Sequence, residues 1–221
     1  MSLTHEVSAL LRKELLLEWK QKFAIYGLLM YALSMVFVVS LGLQSSLPAQ
    51  AWNVVFWVIL LFVSVNAIAK SFMSETIGQF LYLYNVASAR AIILSKLLYN
   101  ALLMSGIALV TLLCFIFFSF KGSFGNPGLY VTTGLLGSWT FAFNMSLVSA
   151  IASRARQKTT LLAVLSFPLV VPQFLVCISA SSKALLGDPW SAAASERIFC
   201  ASFILIIAAN SVILFPFLWR D

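Results

Sequence analysis

The side chains able to do acid–base, redox or ligand chemistry are few, and their placement limits what this chain can do. It has seven acids, one histidine and three cysteines. Glu6, Glu14, Glu18, Glu75, Asp188, Glu196 and Asp221 all flank apolar runs and none sits at the centre of one. Proton relays and ion-coupled pumps usually place carboxylates, histidines or lysines mid-span, so a proton- or sodium-driven transporter is disfavoured. His5 alone builds neither a bis-histidine ligand set nor a metal cluster, and its bland reading is a solvated surface residue. No spacing resembles a catalytic triad or a paired-carboxylate hydrolase, and no GxxxxGK[ST] stretch is present to cradle phosphates. Cys114, Cys177 and Cys200 lie in apolar runs and read as small buried hydrophobes. Their odd number and the lack of CxxC argue against a metal or dithiol centre. A Cys177–Cys200 bridge between adjacent helix ends stays open in an oxidising compartment.

The elements that hold these residues follow from composition. The chain is 62% hydrophobic and 10% charged, whereas a soluble domain carries about a quarter charged residues. The bilayer must therefore be its solvent. A spanning helix needs about 20 apolar residues, and six stretches meet that length: 23–43, 51–69, 97–119, 129–152, 159–181 and 199–218. Backbone groups in lipid must be satisfied internally, so the expected fold is an all-α polytopic membrane protein forming one domain over 1–221. The short alternating segments of a β-barrel do not occur.

Charge sets the expected orientation. With six spans and both termini inside, the inner pieces hold Arg12, Lys13, Lys20, Lys22, Lys70, Arg90, Lys96, Arg154, Arg156, Lys158 and Arg220. The outer pieces hold Lys121, Lys183 and Arg197. This is the positive-inside bias. It accounts for the net charge of +7 without nucleic acid. Cysteine labels at Ser45, Ser123 and Ser181 should react from outside, and at Ser74 and Ser153 from inside. Residues 4–22 are expected to form an interfacial amphipathic helix on the inner surface. Leu3, Val7, Leu10, Leu11, Leu15 and Leu17 share one side; His5, Arg12, Lys13 and Lys20 face away. Glu14 and Glu18 fall within the apolar side. Either that end rides shallowly and both stay hydrated, or they meet basic residues of the inner loops or of a partner. No short apolar core with a cleavage site marks a secretory signal.

The outer stretch "FKGSFGNPG", 120–128, reads as a turn. The segment 182–198 has a turn at Gly187-Asp188-Pro189 and then a weakly helical piece. Gly134, Gly137 and Ser138 permit close helix packing. Pro168 and Pro172 each remove an intrahelical hydrogen bond, so the fifth span should kink or break, with that face toward the bundle interior or a subunit interface. The intramembrane asparagines Asn53, Asn66, Asn100, Asn144 and Asn210 read as interhelical hydrogen bonders, or as lining a polar path. The outlier is 70–96, a charged, glycine-containing inner segment. Phe72, Phe80, Leu81, Tyr82, Leu83 and Tyr84 are the residue types that anchor interfaces, with Glu75, Arg90 and flanking lysines to set register. The bland alternative is a surface connector with no partner.

These residues resemble the cytochrome c maturation protein B family, also called haem exporter protein B, over essentially the full length. The resemblance rests on "RKELLLEWK" before the first span, on Glu75, Gly78, "QFLYLY", "ASAR" and Lys96, and on "LLAVLSFPLVVPQFLV" with Pro168 and Pro172. Val-Ala-Ser-Ala-Arg at 86–90 departs from the family, which has prolines there. The resemblance implies a fold akin to the type-2 ABC exporter permeases and a non-catalytic membrane subunit in the bacterial inner membrane. It implies that 70–96, with Glu75, Gly78, Gln79, Phe80, Tyr82, Tyr84, Arg90 and Lys96, couples to a cytoplasmic ATPase that binds ATP-Mg. The other implied partners are a haem-handling membrane protein, a small single-span protein and a periplasmic haem chaperone. No cofactor is expected on this chain itself; the complex handles haem. The competing readings are a type-2 permease exporting a lipid, drug or polysaccharide, and a non-transporting scaffold.

Overall fold

Inside hydrocarbon a backbone N–H or C=O finds a partner only within its own segment, and each long apolar run of this chain is helical in the computed structural model. The structure describes residues 3–21, 23–42, 48–68, 87–119, 124–153, 155 and 157–220. In chain order the helices are α1 (Leu3–Gln21), α2 (Phe23–Gly42), α3 (Ala49–Ile68), α4 (Ala89–Ser119), α5 (Pro127–Ala152), α6 (Lys158–Leu186) and α7 (Ala194–Arg220), with a 3-10 turn at Trp190–Ala193 before α7. No strand occurs among the described residues. Five helices, α3 to α7, are long and apolar enough to cross a membrane, and Tyr26–Gly42 of α2 is a shorter apolar stretch. The chain is thus an all-α polytopic membrane protein.

Helix α5 is the axis of the bundle. Every residue from Thr140 to Ala150 is buried, and α3, α4, α6 and α7 all pack on it. Close approach is possible where side chains are small. A Cβ added at Gly137 would lie 2.3 Å from the Trp57 ring and 2.8 Å from Cys177 Sγ. Gly134 has open space around it, so of the two glycines only Gly137 enforces contact. An aromatic cluster fills one end of the core. Trp52 stacks on Phe115 at 4.9 Å, and Phe56, Phe124 and Tyr130 close around it.

Buried polar side chains join the helices, as expected for Asn53, Asn100 and Asn144, whereas Asn66 is exposed and donates within its own helix to Phe62 O and Asn210 is exposed. Asn53 Nδ2 donates to Ile178 O and Ser182 Oγ, and Tyr130 donates to Asn53 Oδ1 at 3.0 Å. Trp57 Nε1 donates to Ser181 Oγ at 2.7 Å. Asn100 Nδ2 donates to Ser146 Oγ at 2.7 Å, and Asn144 Nδ2 donates to Gln173 Oε1 at 3.4 Å. Such bonds are favoured in a medium that offers no water.

Helix ends follow local chemistry. Asn126 caps α5, its Oδ1 accepting from Leu129 N–H, with Pro127 in the first turn; both choices suit a helix start. Gly187 ends α6 in the left-handed region at φ 86°, where a residue without Cβ is at least cost. The two turns interlock: Gly125 N–H donates to Leu185 O and Asn126 N–H to Ala184 O. A Cβ on Gly125 would come within 2.3 Å of the Gly187 backbone. The turn expected at Gly187-Asp188-Pro189 is present, and the helical piece after it runs straight into α7.

Two placements go beyond the hydropathy reading. Helix α6 runs unbroken through Pro168 and Pro172, and both prolines are exposed on the outside of the chain. The packed face of α6 is Leu162, Ser166, Val170, Gln173 and Cys177, spaced three and four apart as one helical stripe. The prolines fall on the opposite stripe with Val164, Phe167, Val171 and Leu175, so they do not point into this chain's interior. Second, α4 begins at Ala89, and Arg90 and Lys96, expected in a loop, lie on a helix. A ruler based on hydrocarbon thickness finds the spanning part of a helix and misses the turns beyond it.

Candidate coupling site at the basic end of the bundle

The end of the bundle that carries α1 also holds the start of α4 and the end of α7. Helix α1 packs along α4. Leu10 lies against the core, while Leu3, Leu15, Leu16 and Leu17 are exposed. Apolar side chains left uncovered on a helix whose other residues are charged suit a membrane interface. Arg12 is exposed. Lys13 pairs with its neighbour Glu14, Nζ to Oε1 at 3.3 Å, so Glu14 is engaged within its own helix. The side chain of Glu18 lies outside the described residues.

The start of α4 is built on Ser88. Its hydroxyl caps α4, accepting from Ala91 N–H at 3.3 Å. The same hydroxyl donates to Glu6 Oε2 at 2.7 Å, and Ser88 N–H donates to that oxygen at 3.2 Å. One carboxylate oxygen of α1 therefore accepts both donors of the α4 cap residue. The Ser88 hydroxyl, then its backbone N–H, hold the Glu6 carboxyl below the ordinary carboxylate range. A negative charge at a helix N-terminus is also favoured by the helix dipole. Glu6 was not among the expected site residues; the legible half of the motif was a serine directly before a helical run.

Six of the expected coupling residues, Glu75, Gly78, Gln79, Phe80, Tyr82 and Tyr84, lie outside the described residues. The two others part company on α4. Arg90 is exposed beside the cap, while Lys96 is buried, 4% exposed, two turns further in. Ala87, the residue before the cap, packs on the core. Asn100 and Ser146 form the polar contact that follows Lys96 down the α4–α5 seam.

At the opposite end, Lys183 Nζ donates to Ala192 O at 2.9 Å and pairs with Glu196. The Arg197 guanidinium lies 5.0 Å from the centre of the Trp190 ring and donates to Ala193 O at 3.3 Å. These contacts brace the α6–α7 elbow. Among the described residues no group of histidines, cysteines and acids could hold a metal. The thiols of Cys114, Cys177 and Cys200 are free.

Five helices long and apolar enough to cross a membrane, with a shorter apolar one, define the class: a polytopic helical membrane protein. The profile of the family described as "CcmB protein" matches residues 5–219, and the chain belongs to that family. It is therefore a membrane subunit of the haem-exporting ABC system for cytochrome c biogenesis, and it associates with other components of that system, an ATPase among them. None of the curated proteins matches the chain.

Proposed function

We propose that this subunit converts ATP hydrolysis by a separate cytoplasmic ATPase into haem delivery and release of the haem-loaded periplasmic chaperone. Work enters through residues 70–88. The observation that carries this reading is the Glu6–Ser88–Ala91 junction. A force on the segment reaches α1 through two hydrogen bonds and α4 through its cap. Helix α4 is rigid over 31 residues, about 46 Å at 1.5 Å per residue, so a tilt at its start is carried to the far end of the bundle. There it changes packing against α5. Glu75, Gly78, Gln79, Phe80, Tyr82 and Tyr84 contact the ATPase, which holds ATP-Mg, while Arg90 and Lys96 belong to the helix that receives the motion.

Both termini lie in the cytoplasm, a reading that the basic asymmetry supports, and the complex sits in the bacterial inner membrane, which family membership supports. A haem-handling membrane protein, a small single-span protein and the periplasmic chaperone complete the assembly, with haem as cargo. Pro168 and Pro172, on the uncovered stripe of α6, face lipid or one of these subunits. The experiment is co-purification of ATPase with Phe80→Ala, and with Tyr82→Ala combined with Tyr84→Ala, followed by holocytochrome c formation in cells. Each true anchor should weaken ATPase binding by about 2 kcal/mol or more with insertion intact. Unchanged binding would make the segment a mere connector.

A further inference from the structure

At the basic end, α4 and α7 leave a cleft of about 390 Å³ between them, lined by Arg90, Val212, Ile213, Pro216 and Phe217. That volume falls in the range of small-molecule sites, about 300–1,000 Å³. We propose that the cleft holds one anionic glycerophospholipid, its phosphate on Arg90 and an acyl chain along α7.

The lining is divided as a lipid is divided. Among the described residues that line it, Arg90 is charged and the other four are hydrocarbon. Arg90 makes no hydrogen bond or ion pair with any described residue, so its five donors are available. A guanidinium meets a phosphate with two parallel hydrogen bonds and at little desolvation cost. Depth agrees. Arg90 precedes the hydrocarbon-length stretch of α4 at Leu97 by about 10 Å along the axis, beside the apolar residues of α7. The boundary between head groups and acyl chains thus passes through the cleft. A protein segment fits poorly here. Its backbone N–H and C=O groups would need partners, and the described lining offers them the Arg90 donors against four hydrocarbon side chains.

The test uses the full chain alone, without ATPase or haem, so its outcome is independent of the coupling role. Protein in nanodiscs of phosphatidylcholine with phosphatidylglycerol is released into the gas phase and the retained lipid counted by native mass spectrometry. Wild type should keep one phosphatidylglycerol in preference to phosphatidylcholine. Arg90→Gln should lower that retention about fivefold, the effect of one cation near an anionic head group. Ile213→Trp keeps the cation but fills the cleft; Ile213 is 61% exposed, so the chain tolerates it, and retention should fall similarly. Arg197→Gln, at the opposite end, should leave retention unchanged. Equal retention in wild type and Arg90→Gln overturns the proposal. So does loss in Arg90→Gln with full retention in Ile213→Trp, which would mean surface charge without a groove.

Discussion

Glu6 joins two elements that are 82 residues apart in sequence, which is why no local pattern reveals it. Its carboxyl titrates below the ordinary range because the Ser88 donors favour the charged form. A depressed folded value means that the clamp is fully present above the unfolded carboxylate pKa and is lost as pH falls through the folded one. Amide exchange at Ala91 and Ile92 should therefore speed up on acidification in wild type. In Glu6→Ala it should be fast already near neutral pH, and Glu6→Gln should fall between. Equal protection in all three would remove the clamp from the account. Gly137 was legible as a small residue, yet only its contact with Trp57 tells it apart from Gly134. Gly137→Ala should cost about 1–3 kcal/mol of stability through overpacking, seen as a lower thermal midpoint in detergent, while Gly134→Ala should cost none. The buried Asn144–Gln173 pair leaves Asn144 Oδ1 and Gln173 Nε2 without partners. Replacing both residues by Leu should therefore be near neutral, while Gln173→Leu alone should destabilise by about 1–3 kcal/mol. A double variant worse than the single would contradict this.

At the scale of elements, lipid made the helices readable. Runs that must satisfy their own backbone leave few alternatives, and the apolar cores of α2 to α7 stand where hydropathy puts them. What hydropathy does not encode is where a helix stops, because the turns beyond the hydrocarbon are polar and are set by caps. Ser88 extends α4 back past Arg90, and Asn126 with Gly187 fixes the opposite turns. The prolines of α6 show a second limit. Their missing donors were legible, but which side of the helix they take depends on partners elsewhere. Gln173 and Cys177 turn toward α5, which sends Pro168 and Pro172 outward. The interlocked glycines give an element-scale prediction. Gly125→Ala should separate the α4–α5 turn from the α6–α7 elbow, since the added methyl overlaps the Gly187 backbone. Protease nicking near 124–128 should rise sharply; resistance equal to wild type would argue that the turns hold apart from each other.

For the whole molecule, the orientation rests on the distribution of basic residues and needs a direct test. Ser181 is a poor labelling site, because its hydroxyl is buried under Trp57. Ser191 is exposed at the same end and replaces it. Cysteines at Ser45, Ser123 and Ser191 should react with impermeant maleimide from outside, and those at Gln157 and Ser153 only after the membrane is opened; outside labelling at Gln157 would invert the topology. Membership of the haem-exporting ABC system follows from family, while the proposed route of the mechanical work runs through residues 70–88 and the Glu6 junction. The most direct measurement of that route is photo-crosslinking from single positions in the native membrane. A benzophenone amino acid placed at Phe80 or Tyr82 should form an adduct with a P-loop ATPase, and the yield should change between nucleotide-free and ATP-loaded membranes. A stable, inserted subunit that gives no ATPase adduct from either position would contradict the account.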